Sequence, residues 1–147
     1  MRKGELVSYY VHEGSVEEVE EAMRDFGIEV DVSKRNGTLE LLKFDPKIVD
    51  ATAQTPAREI LKGLYESKGK RTMTFISDNS LPAWTPERLL ESERSHGRRR
   101  EFPATFICAY PTNRICEIWN GQYFLEMLKV HEHAIFPGVA FPWSGLR

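Results

Sequence analysis

A carboxylate at the end of an apolar run is the first feature of this chain that could do chemistry. The segment TMTFISD ends in Asp78 and is followed by Asn79. At the end of a strand, a carboxylate can hold a magnesium ion when phosphates share that ion. Aspartate and asparagine also favour turns, because their side chains bond to the nearby backbone. Both a ligand contact and a turn therefore stay open for Asp78 and Asn79.

A nucleotide would also need a glycine-rich loop, and the chain offers only a poor match to one. The nearest segment, GLYESKGKR at Gly63–Arg71, has five residues between its glycines and ends in arginine. The phosphate-loop motif needs four residues there and ends in serine or threonine. The segment also precedes a strand, whereas the motif follows one. It is therefore predicted to be the end of a helix.

The histidines and cysteines suggest no catalytic or metal-binding group. His131 and His133 flank Glu132, a spacing that shares one face only in an extended chain, and no third strong ligand lies nearby. A histidine near a helix C-terminus is favourable in its own right. Cys108 and Cys116 fit buried free thiols, and no G-x-S-x-G elbow is present. We expect no catalytic residue, no metal and no cofactor.

Two segments could contact a partner. The basic run Arg98, Arg99 and Arg100 could bind nucleic acid or an acidic protein, although nearby glutamates nearly balance its charge. In the C-terminal tail, Phe141 and Trp143 either cover the protein's own core or dock onto another chain. Trp84 stands at a strand-to-helix connection, where ligand pockets of α/β sheets form.

Composition limits the class of protein. The chain has 147 residues and a net charge of −2, so its overall charge does not point to nucleic acid or to an anionic membrane. No apolar run approaches the ~18 residues of a membrane span, and the first residues do not resemble a signal peptide. Glutamate predominates over aspartate and amides are scarce, which favours a heat-adapted source. We expect one cytoplasmic domain covering residues 1–147.

The hydrophobic pattern alternates between strands and helices. Strands are predicted at 5–11, 38–44, 73–77, 105–110 and 134–136. Helices are predicted from a capping box at Ser15 to Gly27, from Thr55 to Gly69, from Thr85 to Gly97, and around Tyr123–Leu128. Such alternation indicates a three-layer α/β fold, a mostly parallel sheet with helices on both faces.

Several segments resemble a known family. KGELVSYYV, SVEEVEEAMRDFGIEVD and GTLELL look like the part of RecA/KaiC-like proteins that follows the phosphate-loop helix. DNSLPAW, LLESE, FICAYP and KVHEHAIF resemble the MEDS domain, a sensory domain of methanogens and methylotrophs without a working ATP site. The resemblance places family positions on Glu91, Cys108, Tyr110 and His131. It implies input sensing rather than catalysis, often coupled to DNA-binding or histidine-kinase modules.

The chain departs from that family at its start, where the leading strand, phosphate loop and helix are missing. A truncated RecA/KaiC-like sheet would expose a strand edge, so we expect a homodimer, with a separate transcriptional or kinase protein as output partner. The sequence predicts a non-catalytic sensory or protein-interaction module, with a small ligand near Asp78, Asn79, Trp84, Tyr110 and His131. The alternatives are a nucleotide-binding ATPase relative that uses Asp78 and a nucleic-acid-binding protein that uses Arg98–Arg100.

Overall fold

The computed structural model describes most of the chain as strands and helices. The described residues are 4–45, 47, 57–69, 71–78, 85–97, 103–110, 121–131, 133–136 and 139–141. In chain order the elements are β1 (Glu5–Val11), α1 (Val16–Asp25), α2 (Val30–Arg35), β2 (Leu39–Lys43), α3 (Ala57–Ser67), β3 (Thr72–Asp78), α4 (Pro86–Gly97), β4 (Ala104–Ala109), α5 (Gly121–Val130), β5 (Ala134–Phe136) and β6 (Val139–Phe141).

Four strands form one parallel sheet in the order β2-β1-β3-β4. The predicted mixed α/β fold with a parallel sheet is therefore confirmed. The chain moves outward from β1 to β2 and then returns past β1 to β3, so the strand order reverses between β1 and β3. Right-handed crossovers in opposite directions place α1 and α2 on one face of the sheet and α3 on the other.

Local signals determine where α1 begins and ends. The Ser15 hydroxyl accepts a hydrogen bond from the Glu18 backbone N–H at 3.1 Å, and the Glu18 carboxylate accepts one from the Ser15 N–H at 2.7 Å. This reciprocal pair is the predicted capping box. Gly27 follows the helix with φ 78°, a conformation that glycine adopts without the steric cost of a Cβ. Both predicted ends of α1 are confirmed.

Two elements were not predicted. The segment before Gly37, for which the sequence predicted no strand or helix, contains α2, which is anchored by Val30 with 1% of its surface exposed. The final predicted strand, β5, pairs antiparallel with β6 in a separate two-stranded sheet rather than as a fifth parallel strand. Pro137-Gly138 between them is a turn dipeptide in the sequence, and the prediction did not use it.

The contacts divide the chain into two compact units. Unit 1 comprises residues 1–80 with 100–109, and unit 2 comprises 81–99 with 110–147. The buried core of unit 1 includes Leu6, Val11, Val30, Leu39, Met73 and Phe75. In unit 2, Leu89, Leu90 and Met127 are buried, and Tyr110, Tyr123, Phe124 and Val130 pack against them. No helix in the described ranges has both the length and the hydropathy needed to cross a bilayer.

Candidate functional site

The polar residues of unit 1 meet where the strand order reverses. His12 directly follows β1, Phe44 directly follows β2, and Ser77 and Asp78 end β3. The register pairs Val11 with Lys43 and Tyr10 with Ser77, so all three strands present their carboxyl ends at the same edge. In open parallel sheets, ligands bind in the crevice beyond the strand ends at such a switch point. This edge is therefore the first candidate site.

His12 is held by neighbours from both adjoining strands. Its Nε2 lies 2.7 Å from the Ser77 hydroxyl oxygen. Its ring stacks on Phe44, with the centroids 3.9 Å apart and the planes 14° from parallel. Its backbone N–H donates to Asp78 Oδ1 at 2.6 Å. The sequence suggested no partner for His12, because these contacts come from segments far apart in the chain.

Asp78 lies at the predicted strand end, and one of its carboxylate oxygens accepts the hydrogen bond from His12. That bond joins residues 66 positions apart, so Asp78 ties β3 to the residue after β1. The turn predicted to follow Asp78 lies outside the described residues, so that role of Asp78 stays a prediction. A ligand contact for the second carboxylate oxygen stays a prediction, and Asn79 lies outside the described residues.

Burial decides the charge of His12. Its Nδ1 is inaccessible to solvent and has no hydrogen-bond partner among the described residues. Protonating both ring nitrogens would bury an N–H without an acceptor, and this desolvation lowers the pKa of His12 although Asp78 acts in the opposite direction. His12 is therefore a neutral imidazole at pH 7, able to exchange hydrogen bonds but not to act as a stable cation.

The start of α1 next to this edge is unfavourable for a phosphate. A helix N-terminus normally attracts anions through its free N–H groups. Here the Ser15 capping box uses N–H groups of the first turn, and Glu13, Glu17 and Glu18 surround it with negative charge. The Lys43 ammonium donates to the backbone carbonyls of His12 and Gly14 at 2.9 and 2.7 Å. The Lys43 cation beside this edge is thus bound to the loop.

A pocket lies on the sheet face that α3 covers, further toward the amino ends of the strands than this edge. Side chains two residues apart on a strand share a face, so Tyr10 and His12, Leu42 and Phe44, and Phe75 and Ser77 form neighbouring rows. The pocket has a volume of about 110 Å³ and lies on the inner side of the His12–Phe44–Ser77 row. Its lining residues are Ser8, Tyr10, Glu40, Leu42, Leu64, Lys68, Met73 and Phe75.

The pocket combines an apolar floor with a small polar group. Met73 and Phe75 are 1% and 8% exposed, and the Tyr10 and Phe75 rings stack 6.4 Å apart. The Glu40 carboxylate accepts a hydrogen bond from the buried Ser8 hydroxyl at 3.3 Å and forms an ion pair with Lys68. Burial raises the pKa of Tyr10, so its phenol stays protonated. Ligand pockets commonly have this composition.

Unit 2 brings together two other predicted site residues, Tyr110 and His131, on a buried glutamate. The Tyr110 hydroxyl donates to Glu93 Oε1, and His131 Nε2 lies 3.2 Å from Glu93 Oε2. Glu93 is only 3% exposed. The family resemblance pointed instead to Glu91, which is exposed. Helical spacing could have identified Glu93, because it lies four residues after Leu89 on the same buried face.

The groups around His131 favour its protonated form. Its Nδ1 lies 2.7 Å from the Met127 carbonyl oxygen, so that nitrogen must carry a proton. A neutral ring would then direct the Nε2 lone pair at the Glu93 carboxylate. Protonation of Nε2 removes this repulsion, and the interaction with Glu93 raises the pKa of His131 despite its burial. When His131 is protonated, it forms a buried ion pair with Glu93.

The two histidines should titrate on opposite sides of the ordinary histidine pKa of 6.5. We expect the His12 ring to protonate below this pH and the His131 ring to lose its proton above it. A ¹H–¹³C NMR titration of the ring Cε1 signals, assigned with His12→Asn and His131→Gln variants, measures both. Midpoints in the reverse order would contradict the assigned hydrogen bonds.

The remaining predicted contacts lie outside the described residues. These are Trp84, Arg98, Arg99, Arg100 and Trp143. Phe141 ends β6, but its side chain is also outside the described part. Cys108 in β4 forms no disulfide and is half-buried, whereas the sequence predicted a buried thiol, and Cys116 lies outside the described residues.

Comparisons with family models, with curated proteins and with solved structures returned no match for this chain. The resemblance to the MEDS domain and to RecA/KaiC-like proteins therefore stays a prediction from the sequence.

Proposed function

We propose that this protein is a non-catalytic sensory module that binds a small molecule in the pocket of unit 1. The observation that carries the proposal is the composition of the pocket: an apolar floor of Met73 and Phe75 lies next to the Glu40–Lys68 ion pair. An apolar pocket with a few converging polar groups is the usual form of a small-molecule site.

The His12–Ser77 pair is better suited to binding than to nucleophilic catalysis. A serine nucleophile needs a base that can accept its proton and a third group that orients and stabilises the charged base. Phe44 orients His12 by stacking but offers no acceptor to its Nδ1, and burial opposes the imidazolium that proton transfer would create. The pair can still donate and accept hydrogen bonds to a bound molecule.

A nucleotide-binding ATPase relative is the second candidate, and the position of Asp78 favours it. The carboxylate stands at the end of β3, where phosphate-loop enzymes hold magnesium through phosphates. The acidic start of α1 and the bond from His12 to Asp78 weigh against it. A nucleic-acid-binding role would depend on Arg98–Arg100, and none of the described contacts favours it.

In the sensory proposal, another protein responds to whether the ligand is bound. We include in it the predicted homodimer and a separate transcriptional or kinase partner. The exposed edge strand β2 is a place where a second chain could add a strand, because it has a neighbour only on its β1 side within the described sheet.

We expect 2-methylpropan-1-ol, whose four carbon atoms match the size of the pocket, to bind there and magnesium–ATP not to bind. Methyl NMR signals of Met73 and Leu64 should shift on addition of the alcohol. The same signals and the His12 ring signal should stay in place with millimolar magnesium–ATP. Leu42→Trp should abolish the response to the alcohol, since Leu42 lies at the pocket on the edge strand and is 40% exposed.

Leu125→Trp is the matched control, because Leu125 is 56% exposed on α5 in the other unit. It should leave the response to 2-methylpropan-1-ol unchanged. Micromolar binding or hydrolysis of magnesium–ATP would overturn the non-catalytic proposal in favour of the ATPase relative. Failure of 2-methylpropan-1-ol to shift any pocket signal would remove the pocket as the ligand site.

A further inference from the structure

The charges at the pocket are of both signs and lie side by side. Glu40 and Lys68 form an ion pair, and their side chains are 29% and 34% exposed, so they lie at the solvent side of the pocket. A ligand that is only an anion or only a cation would gain one attraction and suffer one repulsion there. A zwitterion can satisfy both groups, because its ammonium would meet Glu40 and its carboxylate would meet Lys68.

Two further polar groups, Ser8 and Tyr10, would help the pocket to bind both charges of a zwitterion. The Ser8 hydroxyl, 3% exposed, already donates to Glu40 and helps fix the carboxylate. Tyr10 lines the pocket, keeps its phenolic proton, and makes no hydrogen bond to any described residue through its hydroxyl. That hydroxyl is therefore a donor available to a ligand carboxylate. A ligand that carries an ammonium and a carboxylate on the same carbon would therefore have Glu40 for the first and Lys68 with Tyr10 for the second.

The floor of the pocket limits the rest of the ligand. Leu64, Met73 and Phe75 offer only apolar surface. A cavity of about 150 Å³ in another protein holds benzene, so a volume of about 110 Å³ has room for roughly four non-hydrogen atoms. The side chains of valine and leucine have this size and polarity, whereas charged side chains would lie against a surface that cannot solvate them.

We propose that the ligand of this pocket is a free α-amino acid with a branched aliphatic side chain. The inference rests on the proposed function, since it names the ligand class of the same site. The ammonium pairs with Glu40, the carboxylate pairs with Lys68 and Tyr10, and the aliphatic group lies on Met73 and Phe75. A sensor built in this way reports the concentration of an amino acid.

The test compares L-leucine with two molecules that each lack one of its charges. 3-Methylbutylamine lacks the carboxylate and 4-methylpentanoate lacks the ammonium. Calorimetry and the methyl signals of Met73 should show leucine binding at least tenfold more tightly than either. Glu40→Gln should weaken leucine and the amine but not the acid. Lys68→Met should weaken leucine and the acid but not the amine.

The chain supplies a matched control in the ion pair between Lys62 and Glu66 on α3. These groups are 4.0 Å apart and exposed by 64% and 55%. Lys62→Met and Glu66→Gln should leave all three affinities unchanged, and circular dichroism verifies the fold of every variant. Equal affinity for leucine and 4-methylpentanoate, or no binding of leucine at 10 mM while 2-methylpropan-1-ol binds, would overturn this inference and leave the proposed function standing. If neither leucine nor 2-methylpropan-1-ol binds, both fail.

Discussion

Replacing His131 by glutamine is expected to lower the free energy of unfolding of unit 2 by about 3 kcal/mol. The variant leaves the Glu93 carboxylate buried, with 4% of its side chain exposed, and without the cation that faces it at 3.2 Å. Removing one partner of a buried ion pair is costly because the other charge stays desolvated. Hydrogen exchange of the α5 amides measures the effect, since it reports the opening of that helix separately from the rest of the chain.

Two comparison variants separate the ion pair from ordinary packing. His133→Gln changes an exposed histidine two residues away and should have little effect. Glu93→Gln removes the buried charge but keeps an acceptor for the Tyr110 hydroxyl, so its cost should be smaller than that of His131→Gln. A loss in His131→Gln no larger than in His133→Gln would show that the ion pair does not stabilise unit 2.

The same ion pair predicts a direction of pH dependence. The pKa of His131 is raised in the folded state, so its stabilising contribution is complete below the ordinary value of 6.5. It is lost as the pH rises through the higher folded-state pKa. The protection of α5 should therefore fall with rising pH in the wild type, and Glu93→Gln should flatten this dependence. A dependence of the opposite sign would contradict a charged His131.

The sequence correctly predicted those elements whose structure depends on residues close together in the chain. The ends of α1 follow from Ser15, Glu18 and Gly27, which lie within or beside the helix they delimit. The strands of the parallel sheet follow from short runs rich in apolar and β-branched residues, bounded by turn residues. The short helix α2 was missed because its stability comes from burying Val30, and tertiary contacts of this kind outweigh local propensity.

The candidate site could be predicted only in part, because the hydrophobic pattern of each segment does not reveal the order of the strands in the sheet. Asp78 was identified from its position at the end of a strand. Its partner His12 lies 66 positions away and becomes a neighbour only because β1 and β3 are adjacent. The pocket likewise takes Glu40 from β2 and Lys68 from the residue after α3. Nothing in the spacing of those residues predicts that they form an ion pair.

Met73→Ala is expected to destabilise unit 1 by about 3 kcal/mol and to enlarge the ligand pocket. Met73 is 1% exposed in the central strand β3, where it packs with Phe75 and is surrounded by Leu64, Tyr65 and Phe106. Removing its side chain beyond Cβ loses the burial of these atoms and leaves a cavity that the rigid sheet cannot close. Because Met73 also lines the pocket, the cavity and the pocket become continuous.

Because the cavity left by Met73→Ala would open into the pocket, a ligand should affect this variant differently from a variant of an ordinary core residue. An apolar ligand that binds the folded state stabilises it in proportion to the logarithm of its concentration over its dissociation constant. Indole should therefore restore more stability to Met73→Ala than it adds to the wild type, as measured by hydrogen exchange of the β1 and β3 amides. Met23→Ala, at a half-buried position on α1, should lose less than about 1 kcal/mol and gain nothing specific from indole. If indole stabilises both methionine variants equally, Met73 belongs to the core alone and the pocket does not take up ligands against it.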